Sequence, residues 1–176
     1  MSTSRVTAPP KKSFKRHKIC FIGGPQTGKT MFSKHLESGI TEDFKVPTPL
    51  DLDTCRASTI SQYGASKPVY IGVDGRYTPT VGVEVRDVEW DQTTKVSIWD
   101  CAGMERYSGL ADGYYIGSVG ALAFGGRTDP RTARMVKNFT FTCTRWKKGS
   151  APVVFVEDYD SYEEAFNALM DLISKK

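Results

Sequence analysis

The run Gly23-Gly24-Pro25-Gln26-Thr27-Gly28-Lys29-Thr30 satisfies the pattern G-x-x-x-x-G-K-[ST]. Its chemistry is phosphate binding. Glycines let the backbone curl until successive amides point inward at an anion, and the positive N-terminal end of a following helix adds to the same field. Lys29 supplies a point charge for the outer phosphates and the Thr30 hydroxyl a ligand for magnesium, with Met31 continuing the site into the helix. The residues therefore point to a nucleoside triphosphate held with Mg2+. They do not say which base is bound or whether the triphosphate is cleaved.

This loop needs a strand before it and a helix after it. Lys18-Ile19-Cys20-Phe21-Ile22 is a short apolar run of the kind that forms a buried strand, and Met31, Phe32 and Leu36 follow the loop at helical spacing. Further on, Val83 to Trp90 and Lys95 to Trp99 alternate as two strands around Asp91-Gln92-Thr93-Thr94, which has hairpin-turn composition. Gly120 to Phe124 and Val153 to Val156 read as short buried strands. Arg131 to Lys147 and Ser161 to Lys175 read as amphipathic helices, the second opened by a capping box of Ser161 and Glu164. Strands alternating with helices imply an α/β fold, a mostly parallel sheet flanked by helices, with the ligand at the carboxyl ends of the strands.

Composition bounds the rest. The chain has 176 residues, 39% hydrophobic and 25% charged, the size of one domain with a single core. No stretch approaches the roughly 20 apolar residues of a membrane span, and the first 18 residues are polar and basic rather than a signal peptide. The expected compartment is the cytoplasm, with the nucleus also open. Cys20, Cys55, Cys101 and Cys143 lack CxxC spacing and are read as reduced thiols, which leaves out zinc and a disulfide framework. The formal charge of +4 is unevenly placed: no acid precedes Glu37, while that stretch holds eight Lys or Arg. Residues 1–16 are expected to be a solvated, basic lead-in, and 17–176 the folded domain. The overall charge is too small to argue for nucleic acid as a partner.

Trp99-Asp100-Cys101-Ala102-Gly103-Met104-Glu105-Arg106-Tyr107 resembles the WDTAGQERY segment of Ras-superfamily small GTPases. Gly109 to Ile116 is similar to GLRDGYYI of the Ran branch, and Tyr77 to Val85 to its YVATLGVEV. The resemblance runs from about residue 18 to 124 and implies a P-loop small G-protein fold, GTP or GDP as ligand, and a conformational switch. It implies that Thr80 closes over the magnesium and outer phosphate and that Asp100 holds magnesium through a water. The Gly103 amide would contact the outer phosphate. Effectors and regulators would approach through 45–85 and 100–116, and no membrane anchor is expected, since Lys175-Lys176 is reached without a terminal cysteine.

Four departures from the family pattern qualify this. Met104 stands where a glutamine orients the attacking water, and a thioether is a weak acceptor with no donor. Pro25 removes an amide from the anion nest and sets a ring where an arginine finger would enter, while Gln26 beside it is an alternative water-positioning residue. The base-reading NKxD is replaced by Glu157-Asp158-Tyr159-Asp160, in which only Asp160 keeps its place as the guanine-binding carboxylate. The same segment also aligns with the last loop and helix of the family, so the fold is expected to be shortened at the C-terminal base-binding side. Lastly, the interval between Lys29 and Thr80 is extended by an insertion around 45–76, a partner surface or a passive loop. The expected function is a Ran- or Rab-like GTP-dependent switch that hydrolyses slowly to GDP and phosphate. The alternative is a pseudo-GTPase scaffold or decoy with a vestigial or permanently filled site.

Overall fold

A computed structural model describes residues 14–39, 79–104, 111–146, 151–157 and 161–175. Residues 1–13, Asp160, Cys55 and the insertion expected around 45–76 lie outside the described residues.

In chain order the elements are β1 (Lys15–Gly23), α1 (Lys29–Ser38), β2 (Val83–Glu89), β3 (Thr94–Cys101), α2 (Ala111–Tyr115), β4 (Gly120–Phe124), α3 (Pro130–Trp146), β5 (Val153–Val156) and α4 (Tyr162–Ser174). The strands form one sheet in the order β2-β3-β1-β4-β5. β1 is central and runs parallel to β3 and β4, β4 runs parallel to β5, and only the β2–β3 hairpin is antiparallel. The mostly parallel sheet expected from the alternation of elements is therefore present.

Alternation along β1 divides the core. Ile19 and Phe21 face a cluster shared with Phe32 of α1 and with Tyr162, Phe166, Leu169 and Met170 of α4. Cys20 and Ile22 face the other side, with Tyr115 of α2 and Phe139 and Cys143 of α3. Three layers result, with α1 and α4 on one face and α2 and α3 on the other. All of the named side chains in these clusters are buried, which removes apolar surface from water on both faces of the sheet. Arg86 of β2 binds Ser33 Oγ at 3.2 Å and Glu37 at 3.2 Å, tying the edge hairpin to α1.

Several element ends shift by one or two residues from expectation, and the starts of β1 and α4 differ in a way that has a physical reason. β1 begins at Lys15 because that residue pairs with Thr94, and its amide donates to the Thr93 carbonyl at 2.8 Å. The last two residues of the basic lead-in thus belong to the sheet. At α4 the capping box does not form. Ser161, at φ −94° and ψ 5°, lies outside the extended conformation that an N-cap needs, and its side chain makes no cap hydrogen bond.

Beyond β5 the described chain adds only α4, so the sheet ends one strand past β4. α4 crosses back to the face of α1, which brings its first turn to the carboxyl end of the sheet.

Candidate functional site

β1 hands its last residue, Gly23, into the loop beside Phe124 of β4, with Asp100 of β3 on the other flank across from Phe21. Three parallel strands therefore deliver their carboxyl ends to one place. Gln26 and Gly28 both adopt left-handed backbone, at φ 59° and 81°. Such residues within a tight loop turn amides toward a common centre, the geometry of an anion nest. Gly23, Gly24 and Gly28 are buried, whereas Pro25, Gln26 and Thr27 are half-buried around the rim.

Lys29, at the first position of α1, is only 6% exposed. Its ammonium donates to the carbonyls of Gly23 at 3.0 Å and Gly24 at 2.6 Å, and to Thr27 Oγ1 at 3.2 Å. All three of its donors are directed into the loop. Burial disfavours the charge and lowers its pKa to about 8, against the opposing pull of nearby Asp100.

One residue on, the Thr30 hydroxyl donates to Asp100 Oδ2 at 2.5 Å and lies 3.0 Å from Thr80 Oγ1. Residues 50 and 70 positions from Thr30 in sequence thus meet at one hydroxyl. Asp100 is fully buried, and its other oxygen, Oδ1, has no hydrogen-bond partner. Burial pushes its pKa up, while Lys29 and the Thr30 hydrogen bond pull it down. An orphaned buried carboxylate oxygen is costly. A hard cation would satisfy it. Among the described residues no three His, Cys, Asp or Glu side chains gather as a metal cage. One carboxylate and two hydroxyls beside a phosphate loop is the sparse oxygen set that suits magnesium, which keeps several waters and shares its shell with phosphate. The residues present therefore fit Mg2+, with Thr30, Thr80 and Asp100 the groups that would hold it.

Gly103 is seated directly on the loop. A Cβ there would fall 2.6 Å from the carbonyl carbon and oxygen of Gly24 and from the nitrogen of Pro25. Real Cβ atoms do not approach backbone so closely, so only glycine permits this contact. Pro25 has no amide hydrogen to lose at that point. Met104 follows, half-buried, on the same segment, and Met31 is half-buried in the first turn of α1. Of the expected site residues, all that are described lie within this assembly; Asp160 is outside the described residues.

On the base side, Glu157 is exposed and pairs with Arg127 at 3.5 Å, and Arg127 also lies over the Phe155 ring. The carboxylate at the place of the missing asparagine is thus engaged with a cation at the end of β5.

Two contacts went unread in the sequence. Tyr162, the first residue of α4 and 3% exposed, donates from Oη to the Thr27 carbonyl at 2.6 Å. Its ring packs edge-on to Phe32 and Phe124, each 5.2 Å away between centroids. A Cβ on Gly28 would strike its hydroxyl at 2.5 Å. Nothing local in sequence marks this tyrosine. Asp129 was more readable. It accepts from the Thr132 amide at 3.3 Å and hydroxyl at 2.7 Å, capping α3 beside Gly24. An Asp directly before a Pro at the first helical position is a recognised start signal.

With this geometry established, comparison with known proteins adds the following. The Ras family profile matches residues 72–166, more than half of the chain. The chain is 29% identical over 85 residues to the Ras-related protein RabC of Dictyostelium discoideum, covering 46% of this chain and 43% of that one. It is 50% identical over 46 residues to the Ras-related protein YPTC6 of Chlamydomonas reinhardtii, covering 24% and 21%. The chain thus spans less than half the length of these relatives. The profile match takes in Thr80, Asp100 and Gly103 but starts after the phosphate loop. The spatial junction of the loop with those three residues is an independent observation.

Proposed function

This chain belongs to the Ras family, and from that premise we propose that it is a Rab-like guanine-nucleotide switch that binds GTP and GDP with Mg2+ and hydrolyses GTP slowly. The observation that carries the reading is the meeting of Thr30, Thr80 and Asp100 beside a buried Lys29. Thr80 and Gly103 come from segments on either side of the β2–β3 hairpin, and both touch the phosphate loop or its first helical residues. A third phosphate between them would give both segments something to hold, and its loss would release them. That is how a triphosphate and a diphosphate come to be distinguished.

Each residue then has a task. The loop amides and Lys29 bind and orient the phosphates. Thr30, Thr80 and Asp100 would hold the cation. When bound, Mg2+ neutralises charge on the outer phosphates. Hydrolysis to GDP and phosphate is slow because Met104 offers no donor to orient water, and because Pro25 crowds the loop's outer edge. A working site rather than a vestigial one is supported by the orphaned Asp100 oxygen, because a buried carboxylate oxygen without a partner is costly unless a ligand satisfies it. Regulators and effectors would meet 45–85 and 100–116. Within that region Val81 and Val85, 71% and 51% exposed on or beside the edge strand β2, support an apolar partner surface.

The deciding experiment is to identify the nucleotide released from purified, denatured protein, together with thermal melts with and without Mg-GTP or Mg-ATP. Ligand binding to the folded state alone adds about 2.7 kcal/mol at a hundredfold excess over Kd. A rise of several degrees is expected, abolished in Lys29→Ala. Absence of both released nucleotide and any melt shift at millimolar Mg-GTP would instead establish a scaffold without a working site.

A further inference from the structure

Helix α3 carries four cations, Arg131, Arg134, Lys137 and Arg145, and no Asp or Glu in its 17 residues. Its inner face buries Thr132, Phe139, Thr142 and Cys143 against the sheet. On the outer face, Arg134, Lys137, Phe141 and Arg145 succeed one another at intervals of three, four and four, which aligns them in a single stripe. Phe141 lies within that stripe and is 66% exposed. Trp146, at the end of the helix, is 63% exposed. Both arginines of the stripe and Lys137 are exposed too. In sequence Lys147 and Lys148 extend the run of positive charge. A helix that merely covers a sheet needs only its inner face to be specified. An outer face of one charge sign, with two large aromatic rings in water, is complementary to a surface of opposite charge that also accepts apolar groups.

We propose that this face of α3 docks on an anionic lipid surface, with Arg134, Lys137 and Arg145 against the headgroups and the rings of Phe141 and Trp146 at the boundary with the acyl chains. Shape decides among anionic partners. The stripe is a convex ridge about 16 Å long, at 1.5 Å per helical residue. Single-stranded nucleic acid is bound in positively charged grooves where bases lie on aromatic platforms, and a ridge offers no walls. A protein partner would need a preformed pocket for each protruding ring. A lipid interface deforms around them, and basic residues with Phe and Trp are the composition that such a surface retains. The contact proposed is a peripheral one, made by exposed side chains on one face of α3. It is independent of the nucleotide site, since none of Arg134, Lys137, Phe141, Arg145 or Trp146 belongs to it.

The test is cosedimentation of the whole chain with vesicles of phosphatidylcholine containing phosphatidylserine, against vesicles of phosphatidylcholine alone. Binding to the anionic vesicles only, weakened by high salt, is expected. The double variant Arg134→Glu with Lys137→Glu should lower the affinity by roughly tenfold or more, and Phe141→Ala should lower it at unchanged charge. All three positions are exposed, and melts confirm that the variants fold. Unaltered vesicle binding by both variants would overturn the assignment and move the contact to the basic Lys11–Lys18 run. Absence of vesicle binding, or preferential binding of a single-stranded RNA with the vesicles displaced, would also overturn it.

Discussion

Tyr162 and Thr27 stand 135 residues apart in sequence, yet the tyrosine hydroxyl donates to the Thr27 carbonyl at 2.6 Å. The last helix therefore holds the phosphate loop in place from the side where base-reading residues are expected. Its ring is wedged between Phe32 and Phe124, one on the helix that follows the loop and one on the neighbouring strand. The tyrosine thus fixes the loop's turn at Gly28 while closing the core beneath it.

Tyr162→Phe isolates the hydrogen bond, because the ring and its packing stay. Leaving the half-buried Thr27 carbonyl without its donor should cost about 1 to 3 kcal/mol. The loss should appear in denaturant midpoints and, through a looser loop, in nucleotide affinity. Tyr162→Ala also removes the ring and should cost more, about 3 to 5 kcal/mol. If the Phe variant matches wild type in both readouts, the bond contributes nothing and the ring alone secures the helix.

Lys29 makes the nucleotide-free protein sensitive to alkaline pH. Its pKa falls from 10.5 to about 8 on folding, so between those values the unfolded chain binds the extra proton. Stability must then rise with pH from about 8 to 10.5, by at most about 3 kcal/mol. Tyr115, whose pKa burial raises, acts oppositely near the top of that window, so the comparison is with Lys29→Met. Denaturant midpoints in EDTA should climb with pH for wild type relative to the variant. Parallel curves for the two proteins would show that the ammonium is not buried at this cost.

Apart from α2, which no pattern marked as a helix, the order of elements was legible in the sequence because it rests on local patterns. Alternation around Asp91 predicts the β2–β3 hairpin, and Gly120–Phe124 is apolar at every position, as a strand buried on both faces must be. The phosphate loop is legible for a similar reason, since its glycines and Lys29 lie within eight residues. The cation site is different. Thr30, Thr80 and Asp100 are brought together by sheet register, and only resemblance to a family pointed to the last two. Tyr162 had neither signal. The capping box at Ser161 shows the converse failure: the residue types suit a cap, but the chain enters α4 with a backbone that prevents it.

Gly103→Ala tests the seating of the second motif on the loop. The added methyl would meet backbone of Gly24 and Pro25 at 2.6 Å, and no side chain there can swing aside. Overpacking of this kind costs about 1 to 3 kcal/mol. Because Gly103 approaches the loop where an outer phosphate is expected, the ratio of GDP to GTP dissociation constants should fall toward one. Fluorescent nucleotide titrations measure the ratio, and melts measure the strain. An alanine variant that is as stable and as selective as wild type would place Gly103 away from the loop in solution.

The triphosphate form should persist. Met104 follows Gly103 on the segment packed against the loop, at the position from which a glutamine would orient water, and its thioether has no donor. Ras alone hydrolyses GTP on the order of 10⁻⁴ per second and gains about 10⁵-fold when an arginine finger is supplied to a site that retains its glutamine. This chain has Met104 at the glutamine's place, and a proline, Pro25, stands in the loop where a finger would be expected to enter. Single-turnover hydrolysis of preloaded GTP should therefore run at or below that unassisted rate, and Met104→Gln should raise it. Gln26, half-buried in the left-handed region on the loop's rim, is the other group able to hold water there. Rapid hydrolysis by wild type that disappears in Gln26→Ala would transfer the role to that residue. Should Met104→Gln hydrolyse no faster while still binding GTP, the obstruction lies in Pro25, and Pro25→Gly in the same background should release it.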